Sequence, residues 1–411
     1  MVTQSKTFTA SEIGLMRGFP PPPDKRVTHD NQLLSPYTRW SFQNSLKLNC
    51  AAEVWRGNQP VAEMEYALRD LHNVSYQDWS GDWLTFDDMI ELSYTDGIVV
   101  LHHGKIIYER YLNGMQPHTL HAWASASKSM TGTIALMLAH EGLFDLDEAI
   151  VTYLPELQHS GFGNATVRQV MEMTTAVTYA DTSGNTENMV TENWQYAIAM
   201  GWHPKPVDYT GPETCYDLLP TMKKEGEHGV RFTYQTPNTD VLAWLIKRLC
   251  NQSLAEVMQE RIWSKLGVER DAFWLVGPAA VETAGSGLIT TLRDMARFGQ
   301  MLLQKGQFNG QQIVPRAVIE AIEQGGDPDA FARGPAASPM SEGYSYHHQW
   351  WMAPRTDGAY YALGYAGQHL YIQPKAQLVV AKFASYPVSA PNGEEFYSAF
   401  AAFPSLAKAL T

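Results

Sequence analysis

The sequence predicts an α/β fold in which one antiparallel sheet, flanked by helices, is built from both ends of the chain and a mainly helical region is inserted between them. Three observations carry this expectation. Two β-rich runs meet at a glycine turn between Asp96 and Gly114, helical spacing of apolar residues fills the middle of the chain, and strand patterns return near the C-terminus. A chain of 411 residues, with 45% hydrophobic and 11% aromatic residues, also has ample material for a large core.

Taken in order, residues 1–60 read as a segment that wraps over the body, because four consecutive prolines, Pro20 to Pro23, force an extended stretch. Residues 61–150 and 281–411 are expected to form an α/β sandwich domain, and residues 151–280 a mainly helical one. In "DGIVVLHHGKIIYERYLNG" the two β-rich runs flank His103-Gly104, and Gly104 supplies the positive φ of a tight hairpin turn. In "SKSMTGTIALMLAHEG" Met130, Ile134, Met137 and Leu138 recur at the spacing of a buried helix face, and Gly142 suits the helix C-terminus. Helical spacing continues in "TDVLAWLIKRLC" and, past the insertion, in "LRDMARFGQMLLQKG". The runs "YYALGYAGQHLYIQP" and "AQLVVAKFASYP" read as strands that complete one sheet with the early hairpin.

Composition narrows the function. A net charge of −13 argues against a phosphate-binding surface, since nucleic-acid binders concentrate Lys and Arg, so a small neutral or cationic partner is expected. The amino terminus lacks the charged start and apolar stretch of a secretion signal, and no later run approaches the ~20 apolar residues a bilayer requires. The expectation is a soluble cytoplasmic protein with no membrane partner. Three widely spaced cysteines, Cys50, Cys215 and Cys250, suggest neither a disulfide framework nor a zinc site.

The chemistry gathers at "SASKSMTGT". If Ser125 opens a helix, Lys128 follows three residues on, on the same face. A serine hydroxyl needs an adjacent base, and a desolvated lysine loses its proton far more easily than one in water. Ser-x-x-Lys alone is a weak signal, because serine is a common helix cap. A second element strengthens it: "RFTYQTPNTDVLAW" sets Tyr234 just ahead of another helix, where a lysine cation would stabilise its phenolate, and Thr236 would line the site with a hydroxyl. The third is "ALGYAGQHLYI", where Gly364 and Gly367 let a ligand or backbone approach a strand closely. Such a strand edge can give one N–H to an oxyanion, the other coming from Ser125 itself.

Together these segments resemble the serine hydrolases of the penicillin-recognising fold, the β-lactamase/D,D-peptidase-like group, and within it the 6-aminohexanoate-dimer (nylon-oligomer) hydrolase branch. The likeness also takes in "VTYLPEL", "RDMARFG", "HQWW" and "GQHLYIQP", and runs from about Arg39 to Pro387. It implies Ser125 as nucleophile, Lys128 as its proton partner, Tyr234 as general acid/base and Tyr365 as the strand donor of the oxyanion hole. Asp181, Ser183, Trp202, Thr236, Gly364 and Gly367 would border the substrate, with no cofactor and a homodimer as the assembly. Two departures stand out. The Lys-Thr-Gly triplet of β-lactamases is replaced by Ala362-Leu363-Gly364, which removes the cation that holds a β-lactam carboxylate. The branch also carries a tyrosine after "VTYAD" that assists amide turnover, where this chain has Ser183, so esters are expected to be hydrolysed more readily than amides.

Other features are read as follows. Trp202, Trp350 and Trp351 could wall the pocket or fill the core. The pairs His102-His103 and His347-His348 lack carboxylate spacing, and neighbours on a strand face opposite ways, so no metal site is expected. The leading function is an acyl-enzyme hydrolase of small esters or linear amides such as 6-aminohexanoate oligomers. A sensor that acylates without turnover, or a β-lactamase or D-aminopeptidase, are the alternatives.

Overall fold

A computed structural model describes residues 7–78, 80–179, 192–338, 341–387 and 394–411. After helix α1 (Thr38–Ser41) and strand β1 (Ala51–Val54) come a small hairpin, β2 (Ser75–Gln77) and β3 (Trp83–Thr85), and helix α2 (Phe86–Leu92). The predicted hairpin is β4 (Thr95–His102) and β5 (Lys105–Tyr111), with β6 (Leu120–Ala122) leading into helix α3 (Ser127–His140). The middle of the chain holds α4 (Val167–Met171), α5 (Glu192–Ala199), α6 (Cys215–Leu218), α7 (Pro237–Cys250) and α8 (Leu254–Arg261). Strands β7 (Ala272–Leu275) and β8 (Leu288–Thr291) precede α9 (Leu292–Leu303), the short pair β9 (Gln307–Phe308) and β10 (Gln311–Gln312), α10 (Arg316–Glu323) and α11 (Pro328–Ala332). The chain closes with β11 (Ser345–His347), β12 (Trp350–Met352), β13 (Tyr360–Gly364), β14 (Gln368–Gln373), β15 (Leu378–Ala384) and α12 (Glu394–Leu410).

The antiparallel sheet has the expected composition from both ends of the chain, in the order β11-β12-β13-β14-β15-β4-β5. Val380 pairs with Val100, and Val100 with Tyr108. The turn between β4 and β5 takes φ +49° at His103 and +77° at Gly104, the left-handed pair that a twisted two-residue hairpin requires. Alternation along β4 serves two cores: Val99 and Leu101 pack toward α3 and α9, while Ile98 and Val100 pack toward α2 and the Phe403 and Leu406 side chains of α12. That is why these strands read as continuous apolar runs. A second, four-stranded sheet, β1-β7-β8-β6, was not anticipated; its strands have three or four residues, too short to show a period. One of them, β7, lies inside the interval 151–280 read as mainly helical.

Helix α3 departs from the expected one-sided pattern, because every residue from Ser127 to Leu138 is buried. It runs through the interior between the Ser125 turn and α7, so polar residues along it bond inward. Thr131 Oγ1 donates to the Ala284 carbonyl (3.2 Å) and Ser129 Oγ to the Gln349 carbonyl (2.7 Å). Gly142, at φ +81°, ends it as read. The amino-terminal segment is tied to the body through Arg39, whose guanidinium donates to Asp96 Oδ1 (3.0 Å) and Ser385 Oγ (2.8 Å). Among the described residues, no helix is long and apolar enough to cross a membrane.

Candidate active site

Ser125 does not sit in α3 but in the 3-10 turn Ala124–Ala126 immediately before it. The turn is held from both sides. The Trp123 N–H donates to the Leu288 carbonyl of β8 (2.8 Å) and its indole N–H to Thr290 Oγ1 (2.7 Å), while Ser127 Oγ donates to the Ala124 carbonyl (2.6 Å) and accepts from the Leu288 N–H (3.1 Å). Ala124 is forced to φ +45°, a conformation disfavoured for a residue with a Cβ, and such strain is kept only where the surroundings over-determine it. The result lifts the half-buried Ser125 hydroxyl off the helix end while Lys128 stays in the first turn.

Lys128 is buried at 1% exposure and its ammonium donates to Ser125 Oγ (3.0 Å) and to the Gly285 carbonyl (2.9 Å). The same nitrogen lies 4.9 Å from the centroid of the Tyr234 ring, so the three predicted catalytic residues meet around one charge. Gly285, which sequence reasoning missed, fits because it has no side chain: a Cβ there would stand 2.5 Å from Thr236 Cγ2 and 3.3 Å from Lys128 Nζ. Thr236 is thus placed against the lysine's carbonyl partner. Tyr234 is stacked on Trp351 (centroids 5.5 Å, 29°) and meets Tyr346 edge-on. Its neighbour Gln235 is anchored by donating to the Val177 carbonyl (2.6 Å), and Pro237 opens α7.

Asp240, one turn into α7, was also missed. Its carboxyl is fully buried, accepts the Tyr196 hydroxyl at 2.6 Å, and is pushed up to about 7 by burial, an effect that the tyrosine hydrogen bond and the charge of Lys128 only partly offset. Trp202 packs edge-on against Tyr196 (5.2 Å), the residue that donates to this carboxyl. Of the tandem tryptophans only Trp351 reaches the site. Trp350 is a core residue, fully buried between Phe298 and Tyr360, because adjacent strand residues face opposite ways.

The far wall is the end of β13. A Cβ on Gly364 would stand 2.2 Å from the Trp123 carbonyl, so only glycine lets this strand touch the Ser125 turn. Tyr365 follows directly, its ring near Phe42 and its hydroxyl donating to the Leu33 carbonyl (3.1 Å). Gly367, at φ +96°, turns the chain back into β14. Asp181 and Ser183 lie outside the described residues.

The premise that neighbouring histidines face apart fails for both pairs. His103 and His348 sit in turns at φ +49° rather than in strands, and the ring centroids are 4.3 Å apart in His102-His103 and 3.8 Å apart in His347-His348. The latter pair also meets Glu172, taken up below.

The Beta-lactamase family profile matches residues 94–401, which span the hairpin, the Ser125 turn, Tyr234 and the closing strands. The chain belongs to the β-lactamase family. Within this family it is 29% identical over 365 residues to the 6-aminohexanoate-dimer hydrolase of Paenarthrobacter ureafaciens, covering 88% of each chain. A solved structure from Bacillus anthracis, provisionally designated a 6-aminohexanoate-dimer hydrolase, superposes with a TM-score of 0.85 at 35% identity, covering 95% of this chain and 98% of that one. EstCE1, a hydrolase with promiscuous acyltransferase activity, shares the fold alone, with a TM-score of 0.60 at 15% identity over 77% of this chain and 96% of its own. The β-lactamase-type fold and the likeness to the 6-aminohexanoate-dimer hydrolase are as the segments implied.

Proposed function

We propose that this β-lactamase-family hydrolase forms an acyl-enzyme on Ser125 and cleaves small carboxylic esters and linear amides of the 6-aminohexanoate-oligomer kind. The observation that carries this reading is the 3.0 Å contact between Ser125 Oγ and the buried ammonium of Lys128, with the Tyr234 ring over the same nitrogen. Ser125 Oγ attacks the substrate carbonyl and gives its proton to the Tyr234 phenolate, which the Lys128 ammonium stabilises, so the C–O bond forms as the hydroxyl is deprotonated. The backbone N–H groups of Ser125 and Tyr365 receive the negative oxygen. Tyr234 then returns the proton to the departing alcohol or amine, and water enters by the reverse path to release the acid. With Ser183 where the branch carries a tyrosine, the leaving amine has one proton donor fewer, so ester turnover is expected to exceed that of the amide.

The test is hydrolysis of p-nitrophenyl acetate and butyrate beside the linear 6-aminohexanoate dimer, in wild type, Ser125→Ala and Tyr234→Phe. Ser125→Ala should abolish turnover, and Tyr234→Phe should lower the single-turnover acylation rate by roughly two to four powers of ten. Undiminished turnover by purified Ser125→Ala would refute the assignment. One equivalent released without further turnover in wild type would instead favour an acyl-binding sensor.

A further inference from the structure

Glu172 closes helix α4 beneath the turn that joins β11 to β12, and its carboxylate is approached from two sides. His347 Nδ1 lies 2.8 Å from Oε2, and His348 Nδ1 lies 3.0 Å from Oε1. The His348 backbone N–H already donates to Oε1 at 3.1 Å. The side chain of His348 is 4% exposed, yet its Nδ1 has no hydrogen bond in line despite the short distance. A brace between helix and turn is complete with the His347 imidazole and the His348 backbone. The second imidazole is buried against the same carboxylate at ion-pair distance, so three metal-binding side chains converge where a brace needs only one of the two rings.

We propose that Glu172, His347 and His348 form a binding site for one divalent transition-metal ion of the zinc class. The three donor atoms lie within 4.8 Å of one another. Ligands about 2.0–2.1 Å from a tetrahedral ion stand about 3.3 Å from each other, close to the two nitrogen–oxygen distances present here. Two imidazoles with one carboxylate suit a borderline ion such as zinc rather than magnesium or calcium, which take oxygen ligands. The nearest cation on the same helix, Arg168, is engaged by Asp147 (2.6 Å). The side chain of His347 is 14% exposed, leaving a solvent side for a water as fourth ligand.

Loading requires the proton that His347 Nδ1 donates to Glu172 to move to Nε2, so that both imidazoles bind through Nδ1 as neutral ligands. The ion would clip α4 to the turn whose Gln349 carbonyl accepts Ser129 Oγ, one residue from Lys128, and which leads into β12, where Trp351 stacks on Tyr234. Its part is to hold this wall, outside the chemistry at Ser125.

The experiment uses the full chain, stripped with chelator and desalted. Cobalt(II) titration followed by visible absorption and zinc calorimetry should each give one equivalent, with four- or five-coordinate ligand-field bands and no thiolate charge-transfer band. Zinc should raise the melting temperature. Glu172→Gln, His347→Ala and His348→Ala should each weaken binding by about tenfold or more, while Cys50→Ser and His140→Ala leave it unchanged. Absence of a bound equivalent in wild type overturns the proposal without any variant. Undiminished binding in the folded Glu172→Gln protein, or loss of binding with Cys50→Ser, overturns it by placing the metal elsewhere.

Discussion

Asp240 shows how one side chain links the site to the stability of the protein. Its carboxyl titrates near 7 when folded against 3.8 for an ordinary aspartate, so the folded state holds the proton more tightly. That contribution is complete below about pH 4 and is lost as pH rises through 7. Asp240→Asn keeps a neutral acceptor for the Tyr196 hydroxyl and cannot ionise. We therefore expect the stability of the variant relative to wild type to rise between pH 4 and 7 by on the order of 4 kcal/mol and then level off. Urea unfolding at stepped pH measures this, and a flat difference would mean that Asp240 is already ionised in the folded protein. Glu172 behaves in the opposite sense, with its carboxylate contribution lost as pH falls from about 4.5 toward 2.

At the scale of elements, the packing of α9 on the sheet rests on a missing side chain. A Cβ on Gly299 would stand 2.7 Å from both Leu370 Cδ1 on β14 and Val379 Cγ1 on β15, two fully buried residues. Alanine is the better helix former by about 1 kcal/mol, but overpacking a filled core costs about 1–3 kcal/mol. Gly299→Ala is expected to lower stability by a net ~1 kcal/mol, read as a lower urea midpoint at constant m-value. A raised midpoint would show that the sheet side chains give way. The same closeness lets Gly364 bring β13 against the Ser125 turn.

Across the whole molecule, one buried charge joins segments from both ends of the chain. Asp96 on β4 is fully buried and accepts hydrogen bonds from Arg39, Asn113 and Ser385, with His121 Nε2 at 3.1 Å. Burial opposes its charge, but the His121 hydrogen bond and the nearby cations more than compensate and hold its pKa below the usual range. Breaking such a pair leaves an uncompensated charge, so Arg39→Ala should cost about 3–5 kcal/mol, far more than the loss of a surface ion pair. Thermal and urea unfolding measure it. A change under 1 kcal/mol would show that the amino-terminal segment can leave while Asn113, His121 and Ser385 satisfy Asp96.

What the sequence determined by itself was whatever local periodicity and local chemistry encode: the hairpin about His103-Gly104, the helix that carries Lys128 just after Ser125, and the closing strands. Each depends on residues a few positions apart, which the geometry of a helix or strand turns directly into shared faces. The tertiary structure alone decided which distant groups complete the site. The Gly285 carbonyl that holds Lys128 lies 157 residues away in sequence, and Glu172 lies 175 residues from His347. No spacing rule spans such intervals, because they are closed by packing of whole elements. Position in the fold also reversed two local inferences: α3 is buried on every side rather than on one, and His348 turns toward its neighbour because it occupies a left-handed turn instead of a strand.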